Sequence, residues 1–214
     1  MLQLYGAPAS GSVAVEATLT LLGIPFRVID AETWVDVKAR DKVAPANPLR
    51  QVPALIFPDG EIMTESAAIL LHFADLHPES NLAPAVTDPR RRAFLRWMTY
   101  VSTSIYSLYW LKTDPGRIGF ARADHERAVD AVHAVVSERW KLMDAQISPG
   151  TYLLGDTMSV LDIYVTVISR FGPWRNRFYE AAPGLTPIVK RVDADPRLQH
   201  FWERRFPFDE GWED

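Results

Sequence analysis

The 214-residue sequence contains no cysteine. That absence excludes disulfide bonds, metal sites with thiolate ligands and covalent thiol exchange by the protein itself. Any reactive sulfur would have to arrive on another molecule. The five histidines show no spacing typical of a metal site, so no bound metal is expected.

Long apolar runs and an excess of positive charge are also missing. No stretch reaches the roughly 18 consecutive apolar residues of a membrane-spanning helix. The start, MLQLYGAPASG, lacks the positive beginning and long apolar middle of a signal peptide. The formal net charge of -4 argues against a general nucleic-acid binder, which needs a positive surface. We therefore expect a cytoplasmic protein with no membrane partner and no nucleic-acid partner.

The first part of the chain predicts strands alternating with helices. Residues 2–5 and 26–29 predict two strands, and the helix between them should end at Gly23, where a left-handed residue is favoured. A strand, helix and strand in succession imply a parallel pair. A hairpin at 54–63 and a helix at 66–77 follow, after an irregular helical stretch.

The segment NPLRQVPALIFPDGEIMTES, residues 47–66, predicts a binding edge. Pro53 has no N–H and therefore belongs at the beginning of a strand, after a Val-Pro bond that is a candidate for the cis form. The turn at 58–60 makes the hairpin antiparallel. Glu65 and Ser66 then open a helix, whose free N–H groups and dipole favour a carboxylate. A peptide-like ligand fits such an edge.

The second part of the chain predicts helices. Residues 79–88 are rich in Pro, Ala and polar residues and predict a linker between a domain at 1–78 and one at 89–214. In the second domain Ser159 and Asp162 have the spacing of a capping box, and Met158 and Ile163 that of a hydrophobic staple. Helical character is found at 89–110, 123–146, 160–171 and 186–194.

The Val-Pro step, the Glu-Ser pair and the capped helix resemble the glutathione S-transferase family over nearly the whole chain. The resemblance implies an α/β thioredoxin-like N-terminal domain and an all-α C-terminal domain. It also implies that the backbone of Val52, beside Pro53, pairs with the cysteinyl unit of glutathione. Glu65 and Ser66 would hold the γ-glutamyl ammonium and carboxylate, and Gln51 would add a polar contact.

A hydroxyl must stabilise the glutathione thiolate, because a free thiol has a pKa of about 8.5. Ser10 is the first candidate, since the spacing Tyr-x4-Ser-Gly resembles serine-type transferases. Ser12 is the close competitor, although it stands at the expected N-cap of the first helix, where backbone N–H groups would occupy its oxygen. Tyr5 is the third candidate, but strand alternation would turn its side chain to the other face of the sheet. Cysteine-type relatives are excluded.

The resemblance further implies a pocket for a small hydrophobic electrophile and a homodimer. Aromatic residues that could line the pocket, or instead form interhelical core, are Tyr100, Tyr106, Tyr109 and Trp110. Unranked candidates for the glycyl carboxylate are Trp34, Lys38, Lys42 and Arg50. The predicted activity is conjugation of glutathione to the electrophile. A non-catalytic binding or regulatory protein of the same fold, and a glutathione-dependent isomerase or peroxidase, are the alternatives.

Overall fold

The computed structural model describes residues 1–113, 115–171 and 175–208, in which four strands and ten α-helices are found. The strands are β1 (Leu2–Gly6), β2 (Phe26–Asp30), β3 (Ala54–Ile56) and β4 (Ile62–Thr64). The helices are α1 (Ser12–Leu21), α2 (Val37–Val43), α3 (Ser66–Leu76), α4 (Arg91–Tyr100), α5 (Ser107–Thr113), α6 (His125–Gln146), α7 (Val160–Ser169), α8 (Asn176–Ala181), α9 (Thr186–Asp193) and α10 (Gln199–Arg205).

The four strands form one mixed sheet in the order β2-β1-β3-β4. β1 pairs with β2 in parallel, and both the β1–β3 and β3–β4 pairs are antiparallel. The Val52-Pro53 bond is cis. Gly60 has a φ of 91°, which lets the chain reverse between β3 and β4. The thioredoxin-like order predicted for the first part is confirmed.

The core lies around α1 and α7. Every residue of α7 is buried, as are eight of the ten residues of α1, so both helices are surrounded by protein around most of their circumference. α1 packs against α3 and α7, and α7 packs against α9. The two parts of the chain therefore share one core, and the cleft described below opens where they meet.

The start of α7 carries the predicted capping box. The backbone N–H and the hydroxyl of Ser159 both donate to Asp162, at 2.8 and 2.7 Å, and Leu153 N–H donates to the other carboxylate oxygen at 2.8 Å. Burial raises the pKa of Asp162, and these hydrogen bonds oppose that shift. The predicted capping box is confirmed.

Replacing Ser159 by alanine is expected to lower the free energy of unfolding by about 0.5–2 kcal/mol, because Asp162 loses a donor in a buried site. Urea denaturation would show a lower midpoint with an unchanged slope. Ser148→Ala, at an exposed serine, is the matched control and should leave the midpoint in place. An unchanged midpoint in Ser159→Ala would contradict the stabilising role of the cap.

Helices in the second part differ in detail from the prediction. The helical character predicted at 89–110 corresponds to α4, a π-helical turn at Val101–Tyr106 and α5. α8 and α10 were not predicted from the sequence. The segment 79–88 lies between α3 and α4, and its role as a domain boundary stays a prediction. Within the described ranges, no helix has the length and apolar character needed to cross a membrane.

Candidate functional site

A cleft of about 830 Å³ opens between the first part of the chain and the π-helical turn with α5. Six of the seven residues predicted for the site line it, and Ser12 does not. The six are Ser10, Gln51, Val52, Pro53, Glu65 and Ser66. Their roles in binding and catalysis stay predictions, but their side chains or backbone share one space.

The backbone of Val52 forms one edge of the cleft. β3 begins only at Ala54, so Val52 lies outside the sheet ladder. Among the described residues, neither its N–H nor its C=O has a hydrogen-bond partner. Free backbone groups at an extended edge can pair with an extended peptide, as in strand addition.

The loop before this edge is fixed by a residue that the sequence reasoning missed. Asn47 is buried; its side-chain amide donates to the Gln51 carbonyl at 3.0 Å, and its oxygen accepts from Leu49 N–H at 3.0 Å. An asparagine before Pro-Leu is a turn-forming signal that could have indicated this. Asn47 thereby holds Gln51 and Val52 beside the cleft.

Glu65 and Ser66 place a helix start at the opposite rim. Glu65 is the N-cap of α3 with a φ of 66°, a conformation that costs a non-glycine residue of order 1–3 kcal/mol. The first N–H groups of a helix have no partner within it. Ser66 is 6% exposed, and its hydroxyl lies 2.9 Å from the Tyr164 hydroxyl. The exposed Glu65 carboxylate can bind an ammonium, and the free N–H groups at the start of α3 can bind a carboxylate.

Ser10 lies in the loop between β1 and α1, with only 3% of its surface exposed. Its hydroxyl donates to the Ala7 carbonyl at 2.7 Å and lies 2.8 Å from the Ser12 hydroxyl. It also accepts from Ser12 N–H at 3.2 Å. Rotation about the Cβ–Oγ bond would turn its hydrogen from Ala7 towards a ligand in the cleft.

Ser12 has a different environment from the one predicted. The N-cap of α1 is Gly11, and Ser12 is the first residue of the helix. Its oxygen accepts from Ala7 N–H at 3.1 Å, and its hydroxyl donates to Glu16 at 2.8 Å. The expectation that capping occupies Ser12 is therefore wrong, because the loop turns one residue earlier and places this side chain beneath the cleft.

Aromatic side chains form the wall opposite the Val52 edge. Tyr106, Tyr109, Trp110 and Phe171 line the cleft, and Phe171 was not predicted. Burial raises the pKa values of Tyr106 and Tyr109, so both phenols remain protonated at neutral pH. Such a wall favours an apolar, aromatic ligand and offers hydrogen-bond donors.

Tyr100 and Tyr5 do not line the cleft. Tyr100 lies on α4, and its hydroxyl donates to the Arg139 carbonyl at 2.9 Å, on the side of α6. Tyr5 is half-buried on β1, between two buried neighbours, as strand alternation predicts. Tyr100 was one of the candidates for the pocket. The π-helical turn that follows it changes the helix phase, so Tyr100 and Tyr106 face different sides.

Gly11 lies directly against the Tyr106 ring of this wall. A Cβ atom at Gly11 would lie 2.0 Å from the Tyr106 hydroxyl oxygen and 2.6 Å from its Cζ. Gly11→Ala is therefore expected to lower the free energy of unfolding by about 1–3 kcal/mol through overpacking. The loss should shrink in a Tyr106→Leu background, which removes the clashing phenol atoms, and a double-mutant cycle of urea denaturation measures it. Equal costs in both backgrounds would contradict the contact.

One side of the cleft is lined by two guanidinium groups and an indole, those of Arg40, Arg50 and Trp34. Arg40 was missed, whereas Lys38 and Lys42, which were candidates, are not among the lining residues. Successive positions two apart on a helix lie about 200° apart, so Arg40 faces the cleft from α2 while both lysines face away. The helical phase of α2 was the signal that could have separated them.

Comparison with known proteins agrees with this geometry. Residues 4–81 match the family model described as the glutathione S-transferase N-terminal domain. The chain is also 30% identical over 205 residues to the uncharacterized GST-like protein YncG of Escherichia coli K12, covering 95% of this chain and 98% of the relative. The chain belongs to the glutathione S-transferase family.

Solved structures of glutathione S-transferases have the same fold. A glutathione transferase homologue from Sulfitobacter, with bound glutathione, superposes with a TM-score of 0.81 at 24% identity and covers 95% of this chain and 98% of its own. A sphingomonad glutathione S-transferase complexed with glutathione gives a TM-score of 0.77 at 25% identity, with the same coverage. In the part of the chain that the structure describes, no group of three or more His, Cys, Asp or Glu residues could hold a metal.

Proposed function

We propose that this protein binds glutathione, ionises its thiol and conjugates it to a small hydrophobic electrophile. The observation that carries the proposal is the unpaired backbone of Val52 at one cleft edge, with Ser10 and the start of α3 opening on the same space. No other thiol is needed, since glutathione supplies the sulfur that the chain lacks.

The binding mode follows from the chemistry of each rim. Val52 pairs through its N–H and C=O with the cysteinyl unit, and the cis bond to Pro53 leads into β3. Glu65 accepts from the γ-glutamyl ammonium, and Ser66 with the α3 N–H groups meets the γ-glutamyl carboxylate. At the other end the glycyl carboxylate lies towards Trp34, Arg40 and Arg50, and Gln51 adds a polar contact.

Catalysis then needs thiolate formation and proximity. The thiol proton leaves to solvent, and the Ser10 hydroxyl donates to the sulfur anion. The thiolate forms a carbon–sulfur bond with the electrophile held against the aromatic wall. If the electrophile carries a leaving group, that group departs with the bonding electrons; a protonated phenol such as Tyr106 can donate to it.

The test combines calorimetry with a conjugation assay. Glutathione should bind to the purified protein, and a chromogenic aryl halide should be converted at a rate well above the uncatalysed one. Glutathione binding without turnover across aryl halides, epoxides and unsaturated carbonyls would favour a non-catalytic binding protein. Turnover with peroxide or a cis-enone alone would favour a peroxidase or isomerase. Absence of glutathione binding would overturn the proposal.

We extend the proposal to a cytoplasmic homodimer, as the family resemblance implies. Sedimentation equilibrium of the purified protein measures the mass directly. A mass of one chain, about 24.2 kDa, at micromolar concentration would contradict the dimer.

A further inference from the structure

Tyr164 connects two sides of the cleft from behind its wall. The residue lies on α7, which packs against both α3 and the π-helical turn. Its side chain is fully buried, and its ring meets the Tyr106 ring edge-on, with 6.3 Å between the centroids. The Tyr164 hydroxyl lies 2.9 Å from the Ser66 hydroxyl and is also hydrogen-bonded to the Ser102 side chain. Ser66 and Ser102 both line the cleft, whereas Tyr164 does not.

The three hydroxyl groups form a row from the start of α3 to the π-helical turn. Each of them has one hydrogen to donate and an oxygen that accepts. Burial raises the pKa of Tyr164 to about 12, so the phenol keeps its hydrogen at neutral pH. Because solvent does not reach this phenol, its hydrogen is donated either to Ser66 or to Ser102. Without a ligand the two directions are equivalent, since each of them gives two hydrogen bonds.

A carboxylate bound at Ser66 fixes this direction. A carboxylate only accepts hydrogen bonds, so Ser66 has to turn its single hydrogen towards the ligand. Tyr164 must then donate to Ser66, and Ser102 must donate to Tyr164, because otherwise one of the two contacts has no hydrogen. Ser102 consequently presents only oxygen lone pairs to the cleft, on the same π-helical turn as Tyr106 of the aromatic wall.

We infer that Ser66, Tyr164 and Ser102 form a hydrogen-bond relay through which bound glutathione makes Ser102 an acceptor, so that the protein favours aromatic electrophiles that carry an N–H or O–H group. The inference rests on the proposed function, because it takes the ligand at Ser66 to be the γ-glutamyl carboxylate. It deepens that function by naming a class of electrophile. Tyr164 is a positioning residue, since it contacts neither ligand.

The size of the preference follows from the number of hydrogens in the relay. A ligand that has only an acceptor at this position needs the Ser102 hydrogen, and the contact between Ser102 and Tyr164 then has none. One neutral hydrogen bond is lost, which corresponds to about a 5-fold difference in affinity. The preference should exist only while glutathione is bound, because the relay can otherwise reverse. By linkage, a donor-bearing ligand should tighten glutathione binding by the same factor relative to an acceptor-bearing one.

Indole and benzofuran are the probes that test the relay. They have the same shape, but benzofuran carries an oxygen acceptor in place of the indole N–H, and neither reacts with glutathione. Ligand-observed NMR measures their dissociation constants with and without saturating glutathione. In the wild type, the ratio of the Kd for benzofuran to the Kd for indole should rise about 5-fold when glutathione binds.

Two variants interrupt the relay, and a third is the matched control. Tyr164→Phe removes the middle hydroxyl and keeps the ring beside Tyr106, so the ratio should no longer respond to glutathione. Ser66→Ala removes the hydroxyl that meets the carboxylate and covers the case in which Tyr164→Phe does not fold; at saturating glutathione its ratio should not respond either. Ser107→Ala removes a cleft hydroxyl that donates to the Thr103 carbonyl, and its ratio should respond as in the wild type.

The outcomes separate the relay from the proposed function. If the wild type binds no glutathione, both fail. If it binds glutathione but the ratio does not change, or if neither probe binds, the relay is overturned and glutathione binding stands. A response that persists in Tyr164→Phe or Ser66→Ala, or one that is lost in Ser107→Ala, also overturns the relay. A response that is lost in the relay variants and kept in the control supports it.

Discussion

Replacing Ser10 by alanine is expected to lower kcat/KM for glutathione conjugation by about 100-fold near pH 6.5, which is the loss typical of removing one oxyanion donor. The reason is that the hydroxyl is the donor placed at the cleft floor beside the Val52 edge. Without it, the bound thiol should titrate near its free pKa of about 8.5. The deficit should therefore narrow as the pH rises, because thiolate then forms without help.

The measurement is the rate of conjugation to a chromogenic aryl halide between about pH 5.5 and 9.5, on either side of the free thiol pKa. Ser107→Ala is the matched control, since Ser107 also lines the cleft but donates to the Thr103 carbonyl. It should change the rate little. A Ser10→Ala variant with the wild-type rate and pH profile would show that Ser10 is misassigned. The same loss in Ser12→Ala alone would transfer the role to Ser12.

Glu65→Gln is expected to weaken glutathione binding by about 10- to 100-fold, because it removes a charge-assisted hydrogen bond to the γ-glutamyl ammonium worth about 1.5–3 kcal/mol. Calorimetry with glutathione and with an analogue lacking that amino group tests the contact. The wild type should lose affinity for the analogue, and the variant should not lose more. Glu61→Gln, at an exposed position before β4, is the control.

Glu65→Gly separates strain from function. The residue has a φ of 66°, which glycine adopts freely, so the variant should unfold at a higher denaturant concentration while binding glutathione weakly. Glu65 would then be a residue whose strained backbone is retained for binding. In the Glu65→Gln experiment described above, losses of affinity that add up for the variant and the amine-free analogue would contradict the ammonium contact.

Local signals explain why much of the fold could be predicted. Pro53, the turn at Gly60 and the Ser159–Asp162 pair each constrain the backbone within a few residues, so their effects are visible in sequence. The π-helical turn at Val101–Tyr106 and the helix α10 were not predictable in this way. Both depend on packing against distant parts of the chain, which leaves only a weak periodic pattern.

The candidate site shows the same division. Val52, Glu65 and Ser66 belong to one short segment, and the sequence placed them together. Arg40 and Phe171 face the cleft because of the phase of a helix and the end of another, which the sequence alone does not fix. The surroundings of Ser12 were predicted wrongly, since a shift of one residue in the helix start changes the partners of its hydroxyl.

Arg205 of α10 donates to the Glu16 carboxylate of α1 at 2.6 Å, and this contact joins positions 189 residues apart. It can therefore form only late in the synthesis of the chain. At roughly 5–20 residues per second, the ribosome needs about 10–40 s after making Glu16 before Arg205 is added. Until α10 emerges and docks, the loop between β1 and α1 lacks the hydrogen bond that Ala9 N–H donates to the Arg205 carbonyl. Trimming the chain just before α10 should therefore lower the proposed glutathione-dependent activity, although none of the described residues that it removes lines the cleft.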